Sequence, residues 1–383
     1  MIPQTDADRE GAIGGTRGRV RSPNEKSTRW LNRFIWFTAF ATLLLICSGG
    51  MVTSKGVGLA VPDWPTTFGY NMFLFPVSKW IGGVLFEHTH RLIASTVGFL
   101  TLILAVWLWR DEDRQAVKTL GLLAVAGVIL QGILGGLRVT MLKDQIGIFH
   151  ACLAQAFLGL IVLIALATTN LWRTFSNTYS SAEDNSADRT GHSPVFRKIA
   201  PIKWMAIAIT IGIYLQLALG ATMRHQHRDL AILDFPTANG AWIPDTSAGA
   251  LAKINTWRDA HGFSDVTAFQ IWLQMAHRFL ALIIAVAVVV FAVRVWRLRK
   301  SSPAPILSGL SILWVVVVLV QVTLGAWTIW SNKAADIATA HVAVGAIMLS
   351  LGVSIWAICW QILRTRPNER SAASPEVKGM IAA

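Results

Sequence analysis

Eight long stretches of the chain are almost free of charged residues, and shorter polar segments separate them. Each stretch is about 20 residues long or longer, which is enough for an α-helix to cross the hydrocarbon core of a membrane. The stretches are Leu31–Gly50, Phe86–Trp109, Thr119–Leu137, Ile146–Ala167, Ile202–Ala221, Trp272–Val293, Ile306–Trp330 and Ile337–Leu363. The pattern predicts an all-α polytopic membrane protein with eight transmembrane helices.

The composition supports a membrane protein and explains the charge. The 383 residues are 54% hydrophobic and only 14% charged, with a mean hydropathy of +0.51, whereas soluble domains carry roughly 25% charged residues. A net charge of +13 is also typical of nucleic-acid binding. Here, however, about two thirds of the 34 lysines and arginines fall on one side of the predicted membrane. The positive-inside rule assigns that side to the cytoplasm, so both termini are predicted to be cytoplasmic. The expected partner is a lipid bilayer and not a nucleic acid.

Polar segments divide the chain into two halves. Residues 1–30 and 364–383 are expected to be cytoplasmic tails, the first of them disordered, and residues 171–200 are expected to be a cytoplasmic linker. Between them lie an N-terminal half, residues 31–170, and a C-terminal half, residues 201–363. Each half contains four predicted spans.

The two halves contain similar segments in the same order. FEHTHRLIAS (86–95) resembles LQMAHRFLAL (273–282), LQGILGGLRVT (130–140) resembles VQVTLGAWTIW (320–330), and IFHACLAQAFLGL (148–160) resembles TAHVAVGAIMLSL (339–351). PDWP (62–65) and LDFP (233–236) follow the first span of each half. Because four is an even number of spans, both copies have the same orientation. The sequence therefore predicts two parallel-repeat four-helix bundles.

Each half places two histidines near the start of its even-numbered spans: His90 and His150 in the first half, and His277 and His341 in the second. These spans run in one direction, so the four histidines are expected at one depth, in the outer part of the membrane. Ionisable residues in membrane helices are costly and usually functional. Two imidazoles that face each other across a bundle suit the axial positions of a haem. Hydrogen-bonded core histidines and a non-haem metal site remain alternatives.

The halves differ beside these histidines. Glu87 precedes His90 by three residues, whereas Gln274 stands at the matching position before His277. Only the first half thus has a group that can carry charge or a proton next to its histidine pair, as expected of a reactive site paired with an electron-transfer site. An ion pair between Glu87 and Arg91 is the alternative. Arg91 and Arg278 are candidates to pair with haem propionates, because a guanidinium matches a carboxylate.

The other five histidines are not predicted to be ligands. His88 lies about 200° around the helix from His90 and is expected to be interfacial. The remaining four are expected to be solvated in the linker or in the outer loops: His192, His225, His227 and His261.

This arrangement resembles the haem A synthase family. The resemblance covers about residues 31–363 and rests on Glu87-x-x-His90-Arg91, His150, the second His-Arg pair, His341, the repeat and the PDWP loop. Some members have a cysteine pair in the first outer loop, but this chain has no cysteine between Met51 and Leu85. A redox role of such a pair therefore cannot apply here.

The resemblance implies an activity: oxidation of the C8 methyl of haem O to a formyl group by successive hydroxylations, giving haem A. It implies that His90 and His150 hold the substrate haem O, that His277 and His341 hold a resident haem b, and that Glu87 is needed for the reaction. It also implies a role in cytochrome c oxidase assembly, with haem O synthase and assembly factors as candidate partners. The electron donor and any homo-oligomer remain open.

Two other functions were weighed on the residues. A diheme b-type membrane cytochrome that only passes electrons would share the histidine pairs but would not need Glu87. A transporter built on a parallel repeat would need polar residues near the membrane midplane, whereas here they cluster at the outer end of the helices.

The charge distribution predicts the topology. Reporter fusions after Trp172 and Arg299 are expected to report the cytoplasm, and fusions after Met72 and Asp245 the opposite side. A cytoplasmic signal from the Asp245 fusion would contradict the eight-span topology.

Overall fold

The computed structural model describes residues 23–170, 172, 194–225, 230–298 and 304–364. These residues form nine α-helices and no strand. The helices are α1 (Pro23–Ser54), α2 (Gly82–Asp111), α3 (Gln115–Met141), α4 (Asp144–Ala167), α5 (Pro194–His225), α6 (Ala248–Ala260), α7 (Ala268–Arg297), α8 (Ala304–Trp330) and α9 (Ala335–Arg364). All except α6 are long and apolar enough to cross a membrane, and each of these eight contains one predicted span. The prediction of eight transmembrane helices is confirmed.

The helices extend beyond the apolar stretches. Helix α1 begins at Pro23, inside the predicted disordered tail, and α5 begins at Pro194, inside the predicted linker. Adding a residue to an existing helix is much easier than starting one, so a helix continues into polar sequence once the apolar span has formed it. Residues 1–22, most of the linker, including His192, and the tail after Arg364 lie outside the described part of the chain.

Helix α6 was not predicted. It lies in the long loop before α7, and its mean composition is too polar for a span. Ser247 starts it, since its side-chain oxygen accepts a hydrogen bond from the backbone N–H of Ala250. Arg258, near its end, donates to the backbone oxygens of Leu230 and Ser264 at 3.1 and 2.7 Å. The helix therefore folds this loop back onto itself.

The eight long helices pack in two groups with the same contact pattern. In the first group α1 contacts α2 and α4, and α3 contacts the same two helices. In the second group α5 contacts α7 and α9, and α8 contacts the same two. Helices α1, α4, α5 and α9 join the groups, and α4 and α9 touch each other at the centre. Each group encloses its own apolar core, with Leu104 and Ile161 fully buried in the first and Phe291 and Trp314 in the second.

The two long loops contain the same tight turn. Loop 1 joins α1 to α2, and loop 2 joins α5 to α7. In loop 1 a short bridge pairs Thr67 with Tyr70, and the two residues between them, Phe68 and Gly69, have φ of 50° and 76°. Positive φ at both central positions is unfavourable for an aromatic residue such as Phe68. The carboxylate of Asp63 offsets this cost, because it accepts hydrogen bonds from the N–H groups of Phe68 and Gly69 at 2.8 and 2.9 Å.

Loop 2 repeats this turn with an aspartate in the same role. Asn239 and Gly240 have φ of 54° and 79°, and their N–H groups donate to Asp234 at 2.7 and 3.0 Å. Burial raises the pKa of the Asp63 and Asp234 carboxyls, but these hydrogen bonds together lower the pKa by more than burial raises it. The net pKa of each carboxyl is therefore below its usual value. A lowered folded-state pKa means that this stabilisation is complete above about pH 4 and is lost as the pH falls through that lowered value.

Candidate functional site

Each of the four predicted ligand histidines packs against a glycine of the preceding transmembrane helix. A Cβ added to that glycine would lie only 2.9 to 3.4 Å from the Cε1 atom of the ring. The four contacts are His90 on Gly49, His150 on Gly135, His277 on Gly220 and His341 on Gly325. A glycine therefore leaves room for each imidazole between two closely packed helices.

The structure brings the histidines together in the predicted pairs. His90 and His150 lie within electrostatic range of each other, as do His277 and His341. All four side chains are partly accessible rather than fully buried. In each ring, however, the Nδ1 atom is buried and has no hydrogen-bond partner.

These observations fit a haem held between two imidazoles. An imidazole binds the haem iron through one of its ring nitrogens, and the helix bundle must leave space for the flat porphyrin between the two histidines. A three-ligand metal site has less support, since no group of three or more His, Cys, Asp or Glu side chains converges anywhere in the described ranges.

Glutamine side chains contact the backbone or the rings of three histidines. Gln131 donates to the backbone oxygen of His150 at 3.1 Å, and Gln216 donates to that of His277 at 2.9 Å. The Nε2 atom of Gln321, the counterpart of Gln131, lies 3.5 Å from Nε2 of His341. These amides link the histidine helices to their neighbours.

Glu87 is buried at the start of α2 and connects this helix to loop 1. Its Oε1 accepts from Nη2 of Arg91 at 2.8 Å, and its Oε2 accepts from the backbone N–H of Val61 at 3.0 Å. The ion pair weighed as an alternative for Glu87 is thus present in the structure. The loop contact itself does not require a carboxylate, because the second half makes this contact with an amide.

Gln274 occupies the equivalent place in the second half. Its Oε1 accepts from the N–H of Ile232 at 2.8 Å, and its Nε2 donates to the oxygen of the same residue at 3.1 Å. Ile232 is the counterpart of Val61, at the 171-residue offset of the two loops. An amide therefore suffices to hold the loop, and the carboxylate of Glu87 adds the ion pair with Arg91 and a group that can carry a proton.

The two arginines after the histidines hold the loops. Arg91 donates through Nη1 to the backbone oxygens of Asp63 and Thr66, and through Nη2 to that of Val61 and to Glu87. Arg278 donates to the oxygens of Thr237 and Asp234 at 2.8 and 2.7 Å. The predicted pairing of Arg91 and Arg278 with haem propionates remains a prediction, and their observed partners are backbone carbonyls.

His88, for which the sequence analysis expected an interfacial position, is completely buried by protein. Its ring lies 5.1 Å from that of Phe75 and 4.7 Å from that of Trp80, and its Nδ1 is 3.3 Å from Oγ1 of Thr67. Loop 1 folds over it. A helical wheel shows only that His88 points away from His90, and it cannot show that a loop covers that side of the helix.

His225 was expected to be solvated, but the structure shows that it is buried. It is at the end of α5 and packs against α4, where a Cβ at Gly147 would lie 2.6 Å from its Nδ1. The helix continues further than the apolar stretch, which carries His225 into the contact between the two groups. His261 is exposed as expected and stacks on Trp257, and His227 lies outside the described residues.

Two sets of residues near the pairs were missed from the sequence. Gly49 and Gly220 form half of the histidine contacts, and their 171-residue spacing, which equals that of PDWP and LDFP, is a signal that was not used. Arg138, counted only as a loop charge, lies within electrostatic range of both His90 and His150.

The fold and the site define a polytopic membrane protein with one pair of partly buried histidines in each of its two helix groups. Comparisons with known proteins agree with this class. The model of a family described as cytochrome oxidase assembly protein (COX15-CtaA) matches residues 75–353. The chain belongs to this family.

Relatives in several bacteria are similar over most of the chain. A protein named heme A synthase from Halalkalibacterium halodurans is 28% identical over 325 residues, which is 84% of this chain and 94% of the relative. Proteins of the same name are 26% identical in Shewanella oneidensis (86% of this chain, 96% of the relative) and 24% identical in Brucella ovis (89% and 95%).

The glycine contacts predict a difference between two matched variants. Gly49→Ala would place a Cβ 2.9 Å from His90, so the ring or the helix must move, and overpacking of this kind costs about 1–3 kcal/mol. Gly135→Ala creates an ordinary contact at 3.4 Å and is expected to be neutral or slightly stabilising, because alanine favours helix more than glycine does. Thermal unfolding of both purified variants measures this, and equal melting temperatures would contradict the contact at Gly49.

Proposed function

We propose that this chain is an oxidoreductase of haem A biosynthesis that converts the C8 methyl of haem O to a formyl group by successive hydroxylations. Family membership and the relatives named heme A synthase support the coarser part, a membrane enzyme that acts on haem O. The observation that carries the finer part is the contrast between Glu87 and Gln274. Both residues bind the backbone N–H of the matching loop residue, but only Glu87 can be ionised, and only Glu87 is paired with the following arginine.

In this proposal the two histidine pairs have different tasks. His90 and His150 hold haem O as substrate, and His277 and His341 hold a resident haem b, which would supply or accept single electrons. The glycine contacts fit both assignments, since they hold each ring between two helices. The half without a carboxylate at this position suits the electron-transfer role.

The role of Glu87 follows from its position one helical turn before His90. Each hydroxylation replaces a C–H bond of the methyl with a C–OH bond and takes two electrons from the carbon, so an external oxidant must accept four electrons in all. The resulting gem-diol loses water to form the aldehyde without further oxidation, and protons must move during these steps. The Oε1 and Oε2 atoms of Glu87 are held by Arg91 and by the N–H of Val61. Each oxygen has a further lone pair, so the carboxylate can accept or deliver a proton from a fixed position.

Loop 1 covers this end of the first helix group. The indole of Trp64 packs against Gly136 of α3, where a Cβ would lie 2.5 Å from the ring. Phe75 and Trp80 cover His88 on the neighbouring face of α2. Covering the site in this way would keep bulk water from the reacting methyl.

The cellular setting is also part of the proposal. The eight apolar helices support a multi-pass membrane protein, and we place it in the plasma membrane of a bacterium with both termini in the cytoplasm. Haem O synthase would supply its substrate, and assembly factors of cytochrome c oxidase would receive its product. A diheme cytochrome that passes electrons is less well supported, because it would not need a carboxylate at position 87.

The resident haem is tested by ligand removal. His277→Ala or His341→Ala is expected to remove haem b from the purified protein, and the unmodified protein is expected to show a six-coordinate ferric spectrum. Absorption spectroscopy with haem extraction measures both. If His277→Ala kept its full haem b content and this spectrum, the assignment would be wrong.

The role of Glu87 is tested by replacing it with glutamine, the residue that the second half has at the equivalent position. Glu87→Gln is expected to keep the fold and both haem sites, because Gln274 makes the equivalent loop contact, but to reduce formyl formation by about 10²-fold or more. Haem O or a hydroxylated intermediate should accumulate, as measured by chromatography of haems extracted from cells that make haem O.

A matched control is Glu112→Gln. Glu112 is also buried and paired with an arginine, Arg114, but it follows the other end of α2. This variant should form haem A normally. A normal haem A yield from Glu87→Gln would leave Glu87 with its loop contact alone, and loss of all bound haem would indicate a role in folding.

A further inference from the structure

Arg138 is a charged residue near the first histidine pair, and the equivalent position in the second half is uncharged. At the 190-residue offset of these segments, its equivalent is Thr328, whose hydroxyl donates to the backbone oxygen of Leu324.

The second pair also has a cation in range, Arg224 of α5, which acts on His341 but donates hydrogen bonds to Gly50 and Ser54 of α1. Residues that are the same in both halves account for the fold and the histidine pairs that both halves contain. A cation at the position of Arg138 in only one half, with no hydrogen-bonding partner of its own among the described residues, indicates a task that belongs to that half.

The guanidinium of Arg138 packs against loop 1 and acts electrostatically on the first histidine pair. Arg138 is half-buried near the end of α3, and a Cβ at Gly58 of loop 1 would lie 2.9 Å from its Nη2 and 3.3 Å from its Cζ. It is also within electrostatic range of both His90 and His150. Its positive charge is therefore close enough to influence both rings of the pair.

This charge has no ion-pair partner among the described residues. Glu87 and Asp144 act on it only at longer range, since neither has an oxygen within 4.0 Å of its nitrogens. Glu87 is already paired with Arg91. A partly buried guanidinium without a counter-ion is costly in a membrane protein, and an anionic ligand would remove that cost.

Arg91 cannot easily take this role. Its two terminal nitrogens carry four N–H groups, and these donate to three backbone carbonyls and to Glu87. Binding a ligand carboxylate through them would require loop 1 to be released. Arg138 does not have this restriction.

We infer that Arg138 binds a propionate carboxylate of the haem O held between His90 and His150. This inference rests on the proposed function. Two axial ligands alone leave a porphyrin free to rotate about the axis through the iron, so they do not decide which edge of the ring faces Glu87. A guanidinium that holds a propionate at the rim fixes this rotation. Arg138 is then a binding residue that selects the methyl group to be oxidised.

Esterified substrate tests this directly. The first pair of the purified protein, with haem b in the second pair, is titrated with haem O and with haem O dimethyl ester, and binding is followed by absorption. The unmodified protein should bind the free acid at least about 10-fold more tightly than the diester, the scale of a hydrogen bond to a charged group. Arg138→Gln should lose this preference, and its affinity for the diester should be unchanged.

Two further variants serve as controls. Arg138→Lys keeps the positive charge but cannot bind a carboxylate through two parallel N–H groups. This variant should keep part of the preference for the free acid over the diester. Thr328→Val changes the matched position in the second half, and should keep all of it.

The outcomes separate the inference from the proposed function. The inference is overturned if Arg138→Gln still prefers the free acid, or if it loses affinity for acid and diester equally, which would indicate a packing role. The proposed function itself fails, and the inference with it, if the unmodified protein shows no haem O binding that His90→Ala removes.

Discussion

The contact between an imidazole ring and a glycine on the neighbouring helix is the interaction on which this structure depends. Helices in a bilayer pack closely only where small residues permit it, and a histidine side chain would normally keep two helices apart. A glycine opposite each of the four rings solves both problems. The contacts at Gly49 and Gly325 are the closest, so a larger residue there would have to move the ring of His90 or His341 or the helix beside it.

A second constraint is that loops 1 and 2 must be held against the starts of α2 and α7, the helices that carry His90 and His277. Asp63 and Asp234 close the turns, Arg91 and Arg278 hold the loop carbonyls, and position 87 or 274 binds the loop backbone. These devices are nearly identical in the two halves, so they account for shared structure rather than for chemistry. Two charged residues near the first pair have uncharged counterparts in the second half: Glu87 corresponds to Gln274, and Arg138 corresponds to Thr328. These differences are the candidates for residues that take part in the reaction.

The sequence predicted the parts of the fold that depend on composition and spacing. The eight apolar helices and the pairing of His90 with His150 and of His277 with His341 follow from span length and from the repeat. It did not predict α6, the burial of His88 or that of His225. These depend on how loops fold over helix ends, and on helices that continue past their apolar stretch, which hydropathy does not record. The arginine contacts were missed for a related reason, because backbone carbonyls are partners that a sequence does not display.

The central contact between α4 and α9 has a consequence for how this chain could have diverged. If each half were a separate, identical subunit, the same helices would meet across a two-fold axis, and every substitution would appear twice. A symmetric dimer could not place glutamate in one site and glutamine in the other. Joining the halves in one polypeptide removes this restriction, so that each site can be mutated without changing its twin.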